Sequence, residues 1–209
     1  MFHLATLVQN WLTAHATLFE WSAALLTAVS VLLATREHVW NWPIGIVSVV
    51  MYAAIYLRSG LYSDAALQVI YFLLSIYGWY AWLRGGMNRK ELNISRATTR
   101  QWYWCVLVGM VFWYVDATAA RTFSGVSLPY IDAGTTTVSL IAPWMMTRKI
   151  LENWLLWIVV NVVYLPMLAL KHLYPTLLLD ALLLALALKG LIDWRQSYRY
   201  RLEPVTPQG

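Results

Sequence analysis

Two indoles, a carboxamide and a phenol lie on one face of a predicted apolar helix. Trp154, Trp157, Asn161 and Tyr164 are spaced i, i+3, i+7 and i+10, which places them in one stripe. A carboxamide deep in an apolar helix needs a hydrogen-bond partner. The stripe is therefore interpreted as the wall of a ligand pocket. Two alternatives stay open. Trp154 taken alone fits the aromatic belt at the membrane boundary, and Asn161 fits an interhelical hydrogen bond that joins two helices.

A second polar face lies on the preceding predicted helix. Asp132, Thr135, Thr136 and Ser139 follow at i, i+3, i+4 and i+7. An acidic side chain within a span costs a few kcal/mol unless it faces the bundle interior. Asp132 is interpreted either as a cap at the positive end of the helix dipole or as a substrate contact.

Further polar residues lie within apolar stretches, namely Gln68 and Asp180, together with Asp64 and Asp116. The side chain of Gln68 both donates and accepts hydrogen bonds, which suits recognition of an amide or of sugar hydroxyls. Asp116 lies in the predicted linker helix, 101–121, so an intersubunit or structural role is favoured for it.

The chain partly repeats itself after a shift of about 112 positions, without a gap, over three consecutive hydrophobic stretches. The matching pairs include Thr35 and Thr147, Arg36 and Arg148, Asn41 and Asn153, Trp42 and Trp154, Tyr52 and Tyr164, Gly78 and Gly190, and Trp82 and Trp194. By the same shift, Asp132 corresponds to Glu20, and Asp180 corresponds to Gln68. We interpret the repeat as one three-helix unit used twice.

The composition is 60% hydrophobic and 12% charged, which is typical of a polytopic helical membrane protein. Seven spans are predicted, at about 18–35, 41–58, 64–83, 101–121, 128–147, 153–170 and 174–193. Within a single membrane domain of 1–209, the first unit covers 18–84, the linker helix 101–121 and the second unit 128–195. Because a single helix separates the two units, both units insert into the membrane with the same orientation. The predicted architecture is therefore three plus one plus three helices.

The basic residues divide unevenly between the two predicted sides of the membrane. Arg58, Arg121 and Lys171 fall on one side, and the other twelve lysines and arginines fall on the opposite side. The positive-inside rule then predicts an N-terminus outside and a cytoplasmic C-terminus. The first 35 residues lack Lys and Arg, so the first apolar stretch is not expected to be a cleaved signal peptide.

Aromatic residues gather near the predicted span ends, where amphipathic rings commonly form an interfacial belt. Most of the following are expected in that belt: Trp40, Trp42, Tyr62, Trp79, Tyr80, Trp82, Trp102, Tyr103 and Trp194. The lone Cys105 rules out an intramolecular disulfide.

Motifs for other classes of protein are missing from the sequence. The histidines His3, His15, His38 and His172 are scattered, and neither HExxH nor GxSxG occurs. The sequence therefore predicts no enzyme, metal or cofactor, and the basic charge needs no nucleic acid to explain it. A membrane interaction protein would not need several polar residues inside its spans. Facilitated passage of a small solute is the most economical interpretation.

Three segments resemble the PnuC-type transporters of vitamin precursors, over about Glu20 to Trp194. The first runs from Arg36 to Gly45, and the second from Leu61 to Gln68 and on to Trp82. The third joins Asp132, Thr136 and Ser139 to the Arg148-Lys149 pair and the WxxWxxxN pattern at Trp154, Trp157 and Asn161.

The resemblance implies a SWEET-like fold, a homotrimer and import of nicotinamide riboside across a bacterial inner membrane by facilitated diffusion. A cytoplasmic kinase would trap the product. Trp157 and Asn161 match the ligand-facing positions of the motif, and Gln68 matches a glutamine of the family, with Thr136 and Tyr164 assisting. Thiamine or riboflavin is the alternative substrate. Asp180 stands where an aromatic residue is expected, and an acid there would suit thiamine.

Overall fold

The described residues fold into seven α-helices in the computed structural model, which describes residues 16–86, 91–123, 129–170 and 174–202. The helices are α1 (Ala16–Thr35), α2 (Asn41–Arg58), α3 (Tyr62–Arg84), α4 (Thr99–Phe123), α5 (Pro129–Thr147), α6 (Asn153–Leu170) and α7 (Tyr174–Leu202). The prediction of an all-helical chain is confirmed. The first six helices begin and end within about two residues of the predicted spans.

The last helix is longer than predicted. The sequence predicts an end near 193, whereas α7 continues to Leu202 and has 29 residues. Lys189 and Asp193 form an ion pair along this helix, and Ser197 and Arg201 bind the Glu37 carboxylate. These polar contacts stabilise the last turns, so α7 extends beyond the predicted unit boundary at 195.

Much of the apolar surface faces outward. Among the described residues, three helical segments are long and apolar enough to cross a membrane, namely Thr17–Thr35, Asp64–Arg84 and Asn153–Leu170. Large exposed apolar side chains also run along α4, including Val106, Val108, Met110, Val111 and Val115. Exposing apolar surface to water costs about 25 cal/mol per Å². A surface of this kind is typical of a protein whose helices face lipid.

Helices that follow one another in the chain pack as neighbours in two sets, α1 to α3 and α5 to α7. Two further pairs, α1 with α7 and α3 with α5, join the sets. The helix α4 packs against α5.

Four tryptophans form the centre of a buried cluster at the arginine- and lysine-rich end. This tryptophan cluster consists of Trp42, Trp82, Trp154 and Trp194. Trp42 meets Trp82 edge to face at 5.3 Å, and Trp154 meets Trp194 in the same way at 5.5 Å. The expectation that Trp42, Trp82 and Trp194 belong to a lipid-facing belt is wrong, because each is buried by neighbouring helices.

Glycine lets two of these indoles approach a neighbouring helix. A Cβ built on Gly78 would lie 2.3 Å from the Trp42 ring, and one built on Gly190 would lie 2.5 Å from the Trp154 ring. No side chain fits at such separations. Both glycines therefore allow α2 to pack closely on α3, and α6 on α7.

The loops 36–40 and 148–152 have the same backbone geometry. Glu37 and Lys149 both have positive φ, at 55° and 50°. His38 N donates to Leu33 O at 3.0 Å, and Ile150 N donates to Met145 O at 3.0 Å. Positive φ is uncommon for residues other than glycine, so the same unusual turn occurs twice.

The segment before α4 docks on the second of these loops. Ser95 forms a parallel β-bridge with Ile150, with Ser95 N bonded to Lys149 O at 3.0 Å. The Glu152 carboxylate accepts hydrogen bonds from Arg96 Nε at 3.2 Å and Ala97 N at 2.9 Å. Residues 95–97 are therefore tied to the loop between α5 and α6.

Candidate transport site

The predicted stripe on α6 begins in the core and continues into a less buried region. Trp154 is 0% exposed and belongs to the tryptophan cluster. Trp157, one turn later, packs against the same cluster but is only half-buried. Part of the Trp157 indole is therefore open to a partner, whereas the Trp154 indole is enclosed by protein.

The Asn161 carboxamide is buried and held by its own helix. Its exposed fraction is 5%, and its Nδ2 donates to Trp157 O at 2.8 Å. This bond fixes the orientation of the carboxamide beside the half-buried Trp157. An oriented amide next to an indole can combine hydrogen bonding with stacking on one ligand.

Three helices meet at Tyr71 of α3. The Tyr71 side chain lies close to Ser139 of α5 and near Tyr164 of α6. Further along the same two helices, Trp82 Nε1 of α3 donates a hydrogen bond to Met146 O of α5 at 2.9 Å. Both of these residues follow the first contacting pair in sequence, so α3 and α5 run in the same direction. The stripe residue Tyr164 thus lies beside the polar faces of α3 and α5.

Gln68 and Thr136 lie on these same polar faces. Gln68 precedes Tyr71 by three residues, and Thr136 precedes Ser139 by three, which is about one helical turn in each case. Both side chains are half-buried. Because the two helices are parallel, Gln68 and Thr136 lie at a similar level on α3 and α5.

Two tyrosines that the sequence did not indicate, Tyr56 and Tyr71, complete this region. Tyr52 and Tyr56 stack at 5.9 Å with an interplanar angle of 25°, and Tyr56 lies near Tyr164. We call Tyr52, Tyr56, Tyr71 and Tyr164 the tyrosine cluster. The sequence signal was present, since Tyr56 follows Tyr52 by one turn and Tyr71 follows Gln68 in the same way.

The acidic candidates are placed differently from one another. The Asp132 side chain lies outside the described part of the structure, although its backbone belongs to α5. Asp180 is half-buried on α7, which packs against α6 and α1, and its Oδ2 atom is buried without a hydrogen-bond partner among the described residues. Glu20 is exposed and lies near Tyr52, and Asp64 lies near Tyr56 and Tyr71. Asp116 is half-buried on α4.

A surface cavity of about 390 Å³ lies apart from the α6 stripe, at the end of α7. It is lined by Asp193, Gln196, Ser197, Tyr200 and Arg201. In the described ranges, no group of three or more His, Cys, Asp or Glu residues is arranged to hold a metal ion.

At the arginine- and lysine-rich end, the carboxylate of Glu37 has a shifted pKa. Burial acts to raise the pKa of Glu37, but the Ser197 hydrogen bond and the Lys149 and Arg201 charges outweigh burial and leave this pKa below its ordinary range. Glu37 is therefore held as a carboxylate between two cations.

Comparison with known proteins shows to which protein family the chain belongs. The sequence model described as nicotinamide mononucleotide transporter matches residues 17–196. The chain belongs to this transporter family. The predicted resemblance to PnuC-type transporters is confirmed, and the chain is a multi-pass membrane transporter of a small molecule.

Two curated relatives carry different substrate names. The nicotinamide riboside transporter PnuC of Escherichia coli is 31% identical, over 87% of this chain and 88% of the relative. The riboflavin/roseoflavin transporter RibM of Streptomyces davaonensis is 26% identical, over 94% of this chain and 97% of the relative.

A crystal structure of the vitamin B3 transporter PnuC has the same fold. Its TM-score is 0.69 at 24% identity, over 96% of this chain and 93% of that chain. The family and these relatives are transporters, which points away from enzymatic activity.

Proposed function

We propose that the chain imports nicotinamide riboside by facilitated diffusion. The observation that carries the proposal is the half-buried Trp157 indole beside the oriented Asn161 carboxamide. Nicotinamide riboside combines a cationic pyridinium, a carboxamide and a ribose. The cation suits stacking on an indole, which is worth about 0.5–2 kcal/mol, and the carboxamide suits Asn161. The name of the Escherichia coli relative supports the same substrate.

The remaining site residues are assigned by position. Gln68 and Thr136 lie on parallel helices near Tyr71, so we assign them to the ribose hydroxyls, with Tyr164 closing the site. Asp132 and Asp180 are proposed to balance the pyridinium charge. Trp154 is fully buried, so we assign it a supporting role: it belongs to the cluster against which Trp157 packs and helps to position the Trp157 indole.

The proposed architecture is two parallel three-helix units, α1 to α3 and α5 to α7, with α4 as linker. The contacts that join the units support it. If the units are equivalent, α1 corresponds to α5 and α3 to α7, so the contact of α1 with α7 corresponds to that of α5 with α3. Both pairs of helices pack together. The equal turns at Glu37 and Lys149 add support, since they differ by 112 positions. Rocking of the two units about a central site would give alternating access.

We further propose that the protein lies in a bacterial inner membrane, with the N-terminus outside and the basic end cytoplasmic. A homotrimer and trapping by a cytoplasmic kinase are proposed from the family resemblance. Labelling of single cysteines in intact cells and in inverted vesicles tests the orientation. Opposite labelling of Arg58→Cys and Arg195→Cys is expected, and equal labelling of both would contradict the topology.

Riboflavin and thiamine are the competing substrates. The likeness to RibM along 94% of this chain favours riboflavin. Asp180 favours a cationic vitamin, because a buried carboxylate oxygen without a partner is stabilised by positive charge. Both nicotinamide riboside and thiamine carry such a charge.

Tryptophan fluorescence of the purified protein tests the proposal, with nicotinamide riboside, thiamine and riboflavin titrated side by side. We expect saturable quenching by nicotinamide riboside that is lost in Trp157→Ala and kept in Trp79→Ala, whose indole is exposed on α3. Quenching by one of the other vitamins alone would reassign the substrate. No response to any vitamin from folded protein would refute the proposed site.

A further inference from the structure

The Glu37 and Lys149 side chains meet across the boundary between the proposed units. Lys149 Nζ lies 3.0 Å from Glu37 Oε2, and the Lys149 side chain is 6% exposed. Each residue occupies the same left-handed position of its own loop. The ion pair therefore joins the two loops at equivalent points, directly across the boundary.

Further donors from the second unit converge on Glu37. Ser197 Oγ donates to Glu37 Oε1 at 2.7 Å, and Arg201 donates to Glu37 Oε2 at 3.3 Å. Lys149 also lies over the Trp82 ring of α3, at 4.7 Å from its centroid. All four contacts join one set of helices to the other.

Two indole hydrogen bonds cross the same boundary in opposite directions. Trp82 Nε1 donates to Met146 O at 2.9 Å, and Trp194 Nε1 donates to Ala34 O at 3.0 Å. If the units separate at this end, both bonds must break together with the ion pair.

These contacts are built so that they can be released. Ala34 O also accepts from Glu37 N at 3.0 Å, and Met146 O also accepts from Lys149 N at 3.0 Å. Both carbonyls therefore stay hydrogen-bonded when the indoles leave. The surface cavity lined by Ser197 and Arg201 adjoins the ion pair, so water can replace the lost partners.

We propose that the Glu37–Lys149 ion pair is a latch that holds the basic ends of the two units together and must open before substrate leaves on that side. This inference rests on the proposed transport by rocking. The ion pair and the two indole hydrogen bonds oppose separation of the units at this end.

Reversible cross-linking tests the latch. Glu37→Cys and Lys149→Cys are combined in a Cys105→Ala background, and a short bifunctional methanethiosulfonate joins the two thiols. We expect cross-linking to lower vitamin uptake by at least about tenfold, with recovery after reduction. Unchanged uptake after complete cross-linking would show that the contact is static and would overturn the proposal.

A second ion pair at the same end is the matched control. Arg96 lies in the segment that docks on the α5–α6 loop, and its partner Glu152, 3.2 Å away, lies in that loop. Arg96→Cys with Glu152→Cys, treated with the same reagent, should keep uptake within about twofold. A tenfold loss in this control as well would assign the effect to local rigidity, and the latch would be rejected.

A measurement without substrate separates the latch from the proposed function. Ala34 is buried at the boundary, so labelling of Ala34→Cys by a membrane-impermeant thiol reagent reports opening of this end. Lys149→Met should speed labelling at least about fivefold, and Lys149→Arg should leave it near the starting rate. Equal rates in both variants would overturn the latch. Faster labelling in a protein that binds no vitamin would keep the latch and reject only the substrate.

Discussion

Gly190 and Trp154 lie so close that a Cβ on Gly190 would be 2.5 Å from the indole ring. Gly78 and Trp42 repeat this relationship at 2.3 Å. Each glycine receives the flat face of a tryptophan from the neighbouring helix. These contacts set the separation of α6 from α7 and of α2 from α3. They also hold Trp154 in the core, so the α6 stripe becomes less buried only after this residue.

Replacing Gly190 by alanine should destabilise the protein. Added volume in a well-packed core costs about 1–3 kcal/mol, and here the indole would have to move. Thermal unfolding in detergent measures the effect. Gly134→Ala is the control, because its nearest neighbour atoms are 3.8 Å away and alanine favours the helix. A Gly190→Ala protein as stable as the control would contradict the packing argument.

Trp157→Ala should weaken binding of the transported vitamin by about tenfold, which corresponds to 1.4 kcal/mol. The lost stacking on the half-buried indole is the physical reason. Fluorescence titration and uptake at matched expression measure the change. Val159→Ala, on the exposed face of the same helix, is the control. Equal affinity in the two variants would remove Trp157 from the site.

Asn161→Ala is expected to lower affinity to a similar degree, since it removes a carboxamide already oriented by the Trp157 carbonyl. The comparison of nicotinamide riboside with an analogue lacking the carboxamide measures the role of this residue. Asn161→Ala should discriminate less between the two ligands than the natural chain does. Unchanged discrimination would indicate that Asn161 only ties helices together.

Asp180→Asn should select against cationic substrates. The buried Oδ2 atom stabilises a positive charge only while the group is a carboxylate. We expect uptake of a cationic vitamin to fall severalfold, with riboflavin uptake unchanged if riboflavin is carried at all. Asp193→Asn, on the same helix and paired with Lys189, serves as control. Equal losses for cationic and neutral vitamins would assign Asp180 to structure.

The lowered pKa of Glu37 predicts a dependence of stability on pH. Burial acts to raise this pKa, but the Ser197 hydrogen bond and the Lys149 and Arg201 charges lower it overall. A lowered folded-state pKa adds stability above the unfolded value of about 4.3, and this stability is lost as pH falls through the folded value.

Melting temperatures of the natural chain and of Glu37→Gln, followed from neutral pH to below pH 4, measure this dependence. The difference between the two proteins should be largest near neutrality and should shrink as Glu37 becomes protonated. Glu91→Gln, on an exposed residue at the same end, should show no such trend. A constant difference at all pH values would refute the assignment to the Glu37 charge.

The sequence predicted the helices well because length, apolar composition and turn residues act within each segment. The end of α7 was missed, since its last turns are stabilised by contacts to Glu37, which is 160 residues from Ser197. For the proposed site, the stripe spacing indicated Trp157 and Asn161. Tyr56 and Tyr71 were missed because only the meeting of α2, α3, α5 and α6 reveals that they cluster.

The sequence by itself determined where the first six described helices begin and end to within a few residues, which positions match after a shift of 112 and how the polar stripe on α6 is spaced, because periodicity and hydropathy are properties of single segments. Only the tertiary structure decided which of those side chains are enclosed and which stay open. It buried Trp154, Trp82 and Trp194 against neighbouring helices, left Trp157 half-buried, and paired Glu37 with Lys149. Helix rotation and close approach at glycine set these outcomes, and both depend on residues far apart in the chain.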